Sequence, residues 1–191
     1  MDNKKVKGYA YVVIASVSYG LNPLFALPLY ASGIRVDSVL FYRYVFALLF
    51  LAVMMKMSGQ SFALKRNEIL PVAVMGLLFS FSSLFLFQSF NYMDAGIAST
   101  ILFMYPVLVA VIMAVFFKER LSVVKIASIA TSFVGISMLY KGEGGATLSM
   151  TGVCLVLMSS LTYALYIVGV NRSSLKEMPG LKLTFYAILF G

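Results

Sequence analysis

The stretch NYMDAGIASTILFMYPVLVAVIMAVFFKERL, residues 91–121, decides the fold class of this chain. It opens with a polar turn, continues without a charge over residues 97–117, and ends abruptly at Lys118-Glu119-Arg120. About 20 residues, each rising about 1.5 Å along a helix, cross a hydrocarbon layer of about 30 Å. The stretch is therefore predicted to be one membrane span.

Pro106 stands near the middle of this span and is predicted to kink it. Proline has no backbone N–H, so the carbonyl group of Leu102 loses its usual helical donor. Such a carbonyl group is tolerated inside a bilayer only against protein or a water-filled cavity. Three small residues share the face of Pro106 and permit close helix packing: Ser99, Ala110 and Ala114. We therefore expect an interior helix of a polytopic membrane protein.

The composition agrees with a membrane protein and leaves little room for an enzyme. Hydrophobic residues make up 61% of the chain and charged residues 12%, whereas soluble domains have about half and a quarter. The single cysteine, Cys154, cannot form an internal disulfide, and there is no histidine. No serine–histidine or histidine–zinc centre can be assembled, and no paired aspartates lie in the spans. An intramembrane enzyme is a remote alternative, and no catalytic residue, cofactor or metal is predicted.

The fold class predicted is an all-α polytopic membrane protein with six transmembrane helices and a partial seventh. The expected spans are residues 8–30, 38–57, 70–90, 97–117, 123–140 and 149–170, followed by a half-length segment at 181–191. The first could be a cleaved signal peptide. Its apolar run exceeds the usual 7–15 residues or so, and it lacks a small-x-small cleavage site, so an uncleaved span is predicted.

The lysines and arginines predict the orientation. Of the 15, Arg35 and Lys141 fall on one side of the expected spans, Arg43 lies inside the second span, and the other twelve lie on the amino-terminal side. Positively charged loops stay in the cytoplasm, which predicts a cytoplasmic amino terminus in the cell membrane. The same distribution accounts for the net charge of +8. The expected partners are therefore a small-molecule solute and the lipid bilayer, and no nucleic acid.

An internal repeat appears when the chain is shifted by 144 residues. Five residues of the first span then fall on identical residues of the sixth, pairing Gly8, Val12, Ser16, Tyr19 and Leu21 with Gly152, Val156, Ser160, Tyr163 and Leu165. The frame continues into the next span, where Phe41-Tyr42 meets Phe185-Tyr186. Five spans separate the copies, so the second copy must be inverted. Inverted repeats are typical of alternating-access transporters with a site near the bilayer midplane.

Several motifs together resemble the drug/metabolite transporter superfamily, in particular its EamA-type permeases. They are FYRY at residues 41–44, DAGIAST at 94–100, Tyr105-Pro106, KERL at 118–121, and Gly152 followed by Tyr163-Ala164. The resemblance implies ten spans in two inverted five-span repeats, both termini in the cytoplasm, and solute movement without ATP hydrolysis. Residues 1–140 are then expected to be the first repeat. Residues 149–191 would begin a truncated second repeat, so the chain would be about two thirds of a ten-span protein.

Polar residues inside spans usually face the protein interior or a solute path, which gives the candidate site. The candidate substrate-binding residues are Asn22, Arg43, Ser83, Gln88, Thr100, Tyr105 and Tyr163, with Pro23 and Pro106 as helix kinks. Arg43 can attract an anionic solute, or can snorkel to headgroups or pair with carbonyl groups. Asn22 can bind solute or satisfy the carbonyl group freed by Pro23. Ser83 and Gln88 lie on a small and polar stripe that can equally form helix–helix hydrogen bonds.

The function predicted is an EamA-like secondary transporter that moves a small organic metabolite, such as an amino acid or a drug-like solute, by alternating access. No acidic residue sits at mid-span, which favours facilitated diffusion or exchange over a proton relay. Glu119 is interpreted as a structural contact at the cytoplasmic end. The alternative is a half-transporter or fragment that pairs with a second copy or a complementary half, or has no transport activity.

Overall fold

The computed structural model of the protein describes residues 3–119, 127, 130, 131, 134 and 149–191, and these residues form helices joined by turns. Five helical segments are long and apolar enough to cross a membrane: Gly8–Ala31, Val36–Met57, Arg66–Ser89, Ala95–Phe117 and Met150–Arg172. The predicted all-α polytopic fold is confirmed. The fifth predicted span, residues 123–140, lies largely outside the described residues.

The helices are numbered here in chain order. They are α1 (Asn3–Gly20), α2 (Asn22–Ala31), α3 (Val36–Met57), α4 (Arg66–Ser89), α5 (Ala95–Leu102), α6 (Tyr105–Phe117), α7 (Met150–Arg172) and α8 (Gly180–Phe190), with a short 3₁₀ helix at Ser174–Glu177 between α7 and α8. The chain divides into two compact units, Met1–Val39 and Leu40–Gly191.

In the unit Met1–Val39, the first span is broken into α1 and α2 at Leu21. Pro23 stands in the first turn of α2, where a missing N–H removes no helical hydrogen bond. The Leu21 N–H still donates to the Val17 carbonyl oxygen at 3.1 Å, so the chain direction changes without losing that bond. Asn22, one of the candidate residues, is the first residue of α2 and is half-buried.

In the unit Leu40–Gly191, contacts along the helices give their relative directions. The amino-terminal part of α4 packs against the segment after α7, and Ser82 further along α4 meets Ser159 near the middle of α7, so α4 and α7 are antiparallel. Ser160 meets Leu102 and Arg172 meets Glu119, so α7 runs parallel to the fourth span. These directions agree with the predicted spans, in which the third crosses opposite to the sixth and the fourth crosses in the same direction as the sixth.

Gly76 allows α4 and α8 to approach closely. A Cβ atom at this position would lie 2.7 Å from the Ala187 carbonyl oxygen and 3.2 Å from the Phe190 Cβ. The first distance is shorter than real Cβ atoms show and involves backbone that cannot move aside easily, and the second is tighter than most real Cβ contacts. Small residues at such crossings let helix backbones pack by van der Waals contact, which replaces the hydrophobic drive that lipid removes.

One end of this unit is tied together by polar contacts. The loop between α3 and α4 is held to α8, because the Tyr186 hydroxyl donates to the Phe62 carbonyl oxygen and Lys182 Nζ donates to that of Ala63. At the same end of α7, the Arg172 guanidinium forms an ion pair with Glu119. Glu119 is thus in a structural contact, as the sequence analysis interpreted it.

A reciprocal pair of serines joins α4 to α7. The Ser82 hydroxyl donates to the Ser159 carbonyl oxygen at 3.0 Å, and the Ser159 hydroxyl donates to the Ser82 carbonyl oxygen at 2.7 Å. Both side chains are buried. Interhelical hydrogen bonds of this kind in membrane proteins contribute about 0.6 kcal/mol on average and up to about 1.7 kcal/mol.

Replacing Ser82 or Ser159 by alanine is expected to lower the free energy of unfolding by about 1 kcal/mol each. The double variant should lose less than the sum, with a coupling of about 0.6 kcal/mol or more, because each hydroxyl depends on the other helix. Reversible unfolding in mixed micelles measures this cycle. Thr184→Ala is the matched control, since this exposed hydroxyl bonds to the Gly180 carbonyl oxygen of its own helix. Strictly additive losses would contradict the pairing.

Candidate functional site

The fourth span is broken at its centre. Asp94 caps α5, its Oδ1 accepting from the backbone N–H groups of Gly96 at 2.8 Å and Ile97 at 3.2 Å. After Leu102 the chain makes a turn at residues 103–104, and α6 then begins at Tyr105 with Pro106 in its first turn. Discontinuous helices at mid-membrane are where transporter folds build their solute sites.

The carbonyl group that Pro106 leaves without a helical donor is satisfied from another helix. The Ser160 hydroxyl on α7 lies 3.2 Å from the Leu102 carbonyl oxygen and 3.0 Å from the Val156 carbonyl oxygen of its own helix. A hydroxyl has one proton, so the two acceptors share it. Ser160 is fully buried. At the break in the fourth span, the free carbonyl group therefore faces protein rather than lipid.

Aromatic rings meet beside this break. We name the five residues Tyr44, Phe79, Tyr105, Tyr163 and Tyr166 the tyrosine cluster; they come from α3, α4, α6 and α7. Ring centroids of Tyr163 and Tyr105 are 4.8 Å apart and edge-on, and those of Tyr163 and Tyr166 are 5.9 Å apart and stacked. Phe79 lies 5.5 Å from Tyr166, 6.4 Å from Tyr163 and 6.4 Å from Tyr44. The rings form one continuous network.

The tyrosine cluster lies at mid-span. Four of its members fall in the middle third of their spanning segments: Tyr44, Phe79, Tyr105 and Tyr163. Tyrosine combines a ring face that can stack with a hydroxyl that can donate or accept a hydrogen bond. The cluster therefore offers ring stacking and hydrogen bonding at the middle of the spans, where lipid offers neither.

The Tyr44 hydroxyl is the buried polar atom of this cluster that most needs a partner. It lies beside Ser80 and Ser83 on α4, yet within the described part of the chain no hydrogen bond of normal geometry reaches it. A buried hydroxyl in this state is unfavourable by about 1–3 kcal/mol. Such atoms need an explanation, and a bound polar group is one.

Arg43 lies next to Tyr44 in the chain and extends toward α4. Its guanidinium carbon is 4.6 Å from the centroid of the Phe87 ring, a cation–π contact that is among its interactions. Phe87 is buried and shares the stripe of Ser83 on α4. Arg43 is therefore engaged with the helix bundle.

The structure brings together four of the seven candidate residues: Tyr105 and Tyr163 in the tyrosine cluster, Ser83 beside Tyr44, and Arg43 next in the chain. Gln88 is half-buried near the end of α4, and the Thr100 hydroxyl donates to the Gly96 carbonyl oxygen of its own helix at 2.9 Å. Neither belongs to the cluster, and Asn22 lies in the other unit.

Sequence reasoning missed three members of the cluster. Tyr166 could have been found, because a residue three positions after Tyr163 lies on the same helical face. Tyr44 was part of the quoted FYRY motif but was not singled out. Phe79 carried no signal, because it is one of 16 phenylalanines in a chain whose spans are rich in them.

Together these features define a polytopic helical membrane protein with an aromatic and hydroxyl-rich centre. Residues 6–141, more than half of the chain, match the model of the EamA-like transporter family, and the chain belongs to that family. The family predicted from the sequence motifs is confirmed.

Three curated relatives carry the description "uncharacterized transporter". YxxF of Bacillus subtilis is 29% identical over 131 residues, which are 66% of this chain and 42% of the relative. YvbV of the same organism is 27% identical over 131 residues, covering 65% and 43%. A protein of Archaeoglobus fulgidus is 26% identical over 100 residues, covering 52% and 35%. The matched stretches thus cover less than half the length of these relatives. No solved structure matches it at a significant level.

Ser160→Ala is expected to lower the unfolding free energy by about 1–3 kcal/mol, because the Leu102 carbonyl group then lacks a donor. In a Pro106→Ala background the loss should be smaller, since the alanine supplies an N–H one helical turn from that carbonyl group. Unfolding of the four proteins in micelles gives the comparison. Thr162→Ala serves as the control, because its hydroxyl bonds to carbonyl oxygens of α7 itself. An equal loss in both backgrounds would show that Ser160 does not compensate for Pro106.

Proposed function

We propose that this chain forms part of a secondary transporter that moves a small organic metabolite, such as an amino acid or a drug-like solute, across the cytoplasmic membrane by alternating access. The observation that carries the proposal is the tyrosine cluster, at which four spans meet at mid-membrane beside a broken helix. Membership of the EamA-like transporter family supports the same activity.

The tyrosine cluster would also cross the boundary between the two predicted repeats. Tyr44, Phe79 and Tyr105 belong to residues 1–140, the predicted first repeat, whereas Tyr163 and Tyr166 belong to the predicted second. If one repeat rocks against the other, these ring contacts are the ones that open and close. Each aromatic pair contributes only about 0.5–1.5 kcal/mol beyond its area, so a bound solute can replace them at modest cost.

The residues proposed to contact solute are Tyr105 and Tyr163 through their rings, Ser83 and Tyr44 through their hydroxyls, and Arg43 at one end. Asn22, Gln88 and Thr100 stay predictions as further contacts. The serine pair on α4 and α7 lies outside this set. Its hydrogen bonds go to backbone atoms, which favours a structural role.

Reactivity of introduced cysteines tests the solute path. In a Cys154→Ser background, Tyr163→Cys should react with a negatively charged methanethiosulfonate added to either side of the membrane. Leu165→Cys, two residues further and on the opposite helical face, should react at least about tenfold more slowly, because a thiol needs water to ionise. Equal rates for the two, or reaction of Tyr163→Cys from one side only, would contradict alternating access through this cluster.

The proposed orientation has a cytoplasmic amino terminus. Two contacts support it, since they place basic residues at one end of the unit Leu40–Gly191: Arg172 with Glu119, and Lys182 with Ala63. Lys65 lies in the same loop as Ala63. Positive charge concentrated at one end is typical of the cytoplasmic side.

Labelling from outside intact cells tests this orientation. In the same Cys154→Ser background, Asn91→Cys in the exposed turn before α5 should react with a membrane-impermeant maleimide. Ser61→Cys, in the exposed loop before α4, should react only in inside-out vesicles, because α4 separates the two positions across the membrane. The reverse pattern would place the amino terminus outside.

A further inference from the structure

We infer that α6 is a hinged gate, which swings about the break at residues 103–104 and is held shut by contacts with Arg172 at the end of α7. In the transporter proposed above, on which this inference rests, the swing opens a path from the tyrosine cluster to the side of the membrane where Arg172 lies.

The two halves of the fourth span differ in how they are packed. Five of the eight residues of α5 are buried, and α5 packs against both α4 and α7. In α6, Val107 is the one buried residue of thirteen, and the main neighbour of α6 among the described helices is α7. Phe116, near the far end of α6, is 75% exposed. Lipid covers such apolar side chains as well as protein does, so α6 can leave α7 at little hydrophobic cost.

The break at residues 103–104 gives α6 its hinge. The Leu102 carbonyl oxygen accepts from the Ser160 hydroxyl, because Pro106 has no N–H to offer it. The N–H groups of residues 103 and 104 bond to carbonyl oxygens three residues back, which makes a tight turn at the end of α5. The serine therefore holds α5 to α7, and the helical hydrogen bond that is missing at the proline allows α6 to bend away at this point.

The far end of α6 is fastened to α7 through Arg172. The Arg172 guanidinium forms the ion pair with Glu119, and its central carbon lies 4.5 Å from the centroid of the Phe117 ring. We name these two contacts the α6 latch. Both side chains of the ion pair are partly exposed, Arg172 at 39% and Glu119 at 42%. Ion pairs this exposed contribute little to stability, so the α6 latch can break and form again readily.

A strained turn places Glu119 in the α6 latch. Lys118, which ends α6, has a φ of 54°, and within the described part of the chain it is the one residue other than glycine with a positive φ. The Glu119 N–H donates to the Met113 carbonyl oxygen at 3.2 Å, so the chain folds back on the end of the helix. Residues with a Cβ seldom take this conformation, and such strain clusters at switch regions. The turn therefore supports a switch at this helix end.

A row of α7 residues lies beneath α6 and would be uncovered by the swing. Ser160, Ala164, Val168 and Arg172 are spaced by four residues and lie along one helical face. The first meets the end of α5 and the last meets Glu119, so the two between them face α6. These two are buried, at 0% and 6% exposure. Because the reciprocal serine bonds keep α7 fixed to α4, a swing of α6 uncovers this row.

The labelling rate of Val168→Cys measures the opening of α6. The test uses the full chain in micelles, the Cys154→Ser background and a negatively charged methanethiosulfonate. Glu119→Gln and Arg172→Gln should each raise the rate about fivefold or more, because either substitution breaks the ion pair. Exchanging the two charges, as Glu119→Arg with Arg172→Glu, should restore most of the protection.

The two single substitutions also exclude a simple effect of charge on the reagent. Glu119→Gln removes a negative charge and Arg172→Gln removes a positive one, so an electrostatic effect alone would raise one labelling rate and lower the other. Rates that move in opposite directions, or that do not change, would overturn the inference.

Val72→Cys is the matched control for general loosening. Val72 is fully buried near the same end of the unit Leu40–Gly191, where it packs with Leu175 and Tyr186. Its labelling rate should stay within about twofold of the parent rate in both latch variants, because a local opening of α6 leaves this cluster closed. Equal acceleration of Val72→Cys and Val168→Cys would mean that the whole end loosens and that α6 is no gate.

Pro106→Ala tests the hinge. Alanine supplies an N–H to the Leu102 carbonyl oxygen, which makes α5 and α6 more nearly one continuous helix. In the Glu119→Gln variant, Pro106→Ala should slow the labelling of Val168→Cys by about threefold or more. An unchanged or higher rate would contradict a hinge at residues 103–104.

The gate and the proposed function fail in different ways. If Tyr163→Cys is labelled from both sides while Val168→Cys does not respond to the latch variants, alternating access stands and α6 is not the gate. If Val168→Cys responds as expected while Tyr163→Cys is labelled from one side only, α6 moves and the solute path through the tyrosine cluster is wrong.

Discussion

The Leu102 carbonyl oxygen, left without its helical donor by Pro106, accepts a hydrogen bond from the Ser160 hydroxyl across the bundle. Inside a bilayer no water can take that place, so a polar backbone atom must find its partner within the protein. The reciprocal bonds of Ser82 and Ser159 obey the same constraint at the neighbouring position on α7. These short side chains fix α7 against α4 and the fourth span, and the rest of the unit Leu40–Gly191 is arranged around that junction.

The position of the tyrosine cluster follows from this junction. Tyr163 lies one helical turn beyond Ser159 and Ser160, so the bonds that hold α7 also direct its ring toward Tyr105 and Phe79. The break at residues 103–104 sets Tyr105 at the start of α6, at mid-span. Close packing at Gly76 brings α8 against α4. The hydrogen bonds to backbone carbonyl groups, the close approach of helices and the central aromatic cluster all result from the same packing.

Most of the fold could be predicted from the sequence, because the ability of a segment to span a membrane depends on its own apolar length. Apolar length predicted five described spans, and the breaks in the first and fourth spans lie next to Pro23 and Pro106. The candidate site was predicted less completely. Tyr105, Tyr163, Ser83 and Arg43 were selected because polar groups in spans are costly. Phe79 was not, since phenylalanine is equally at home facing lipid, and Gln88 and Thr100 were selected although they lie apart from the cluster.

The sequence by itself determined the membrane-spanning class, the transporter family, and the Leu102 carbonyl group that needed a donor. These are set by apolar length, by the chemistry of proline and by order along the chain. Only the tertiary structure decided that Ser160 is the donor, that Ser82 meets Ser159, and that Arg43 lies over Phe87. Those pairs are separated by tens of residues and depend on how helices are rotated and shifted against one another. Rotation and shift are set by many weak packing contacts summed over whole helix faces, and no local pattern of residues encodes them.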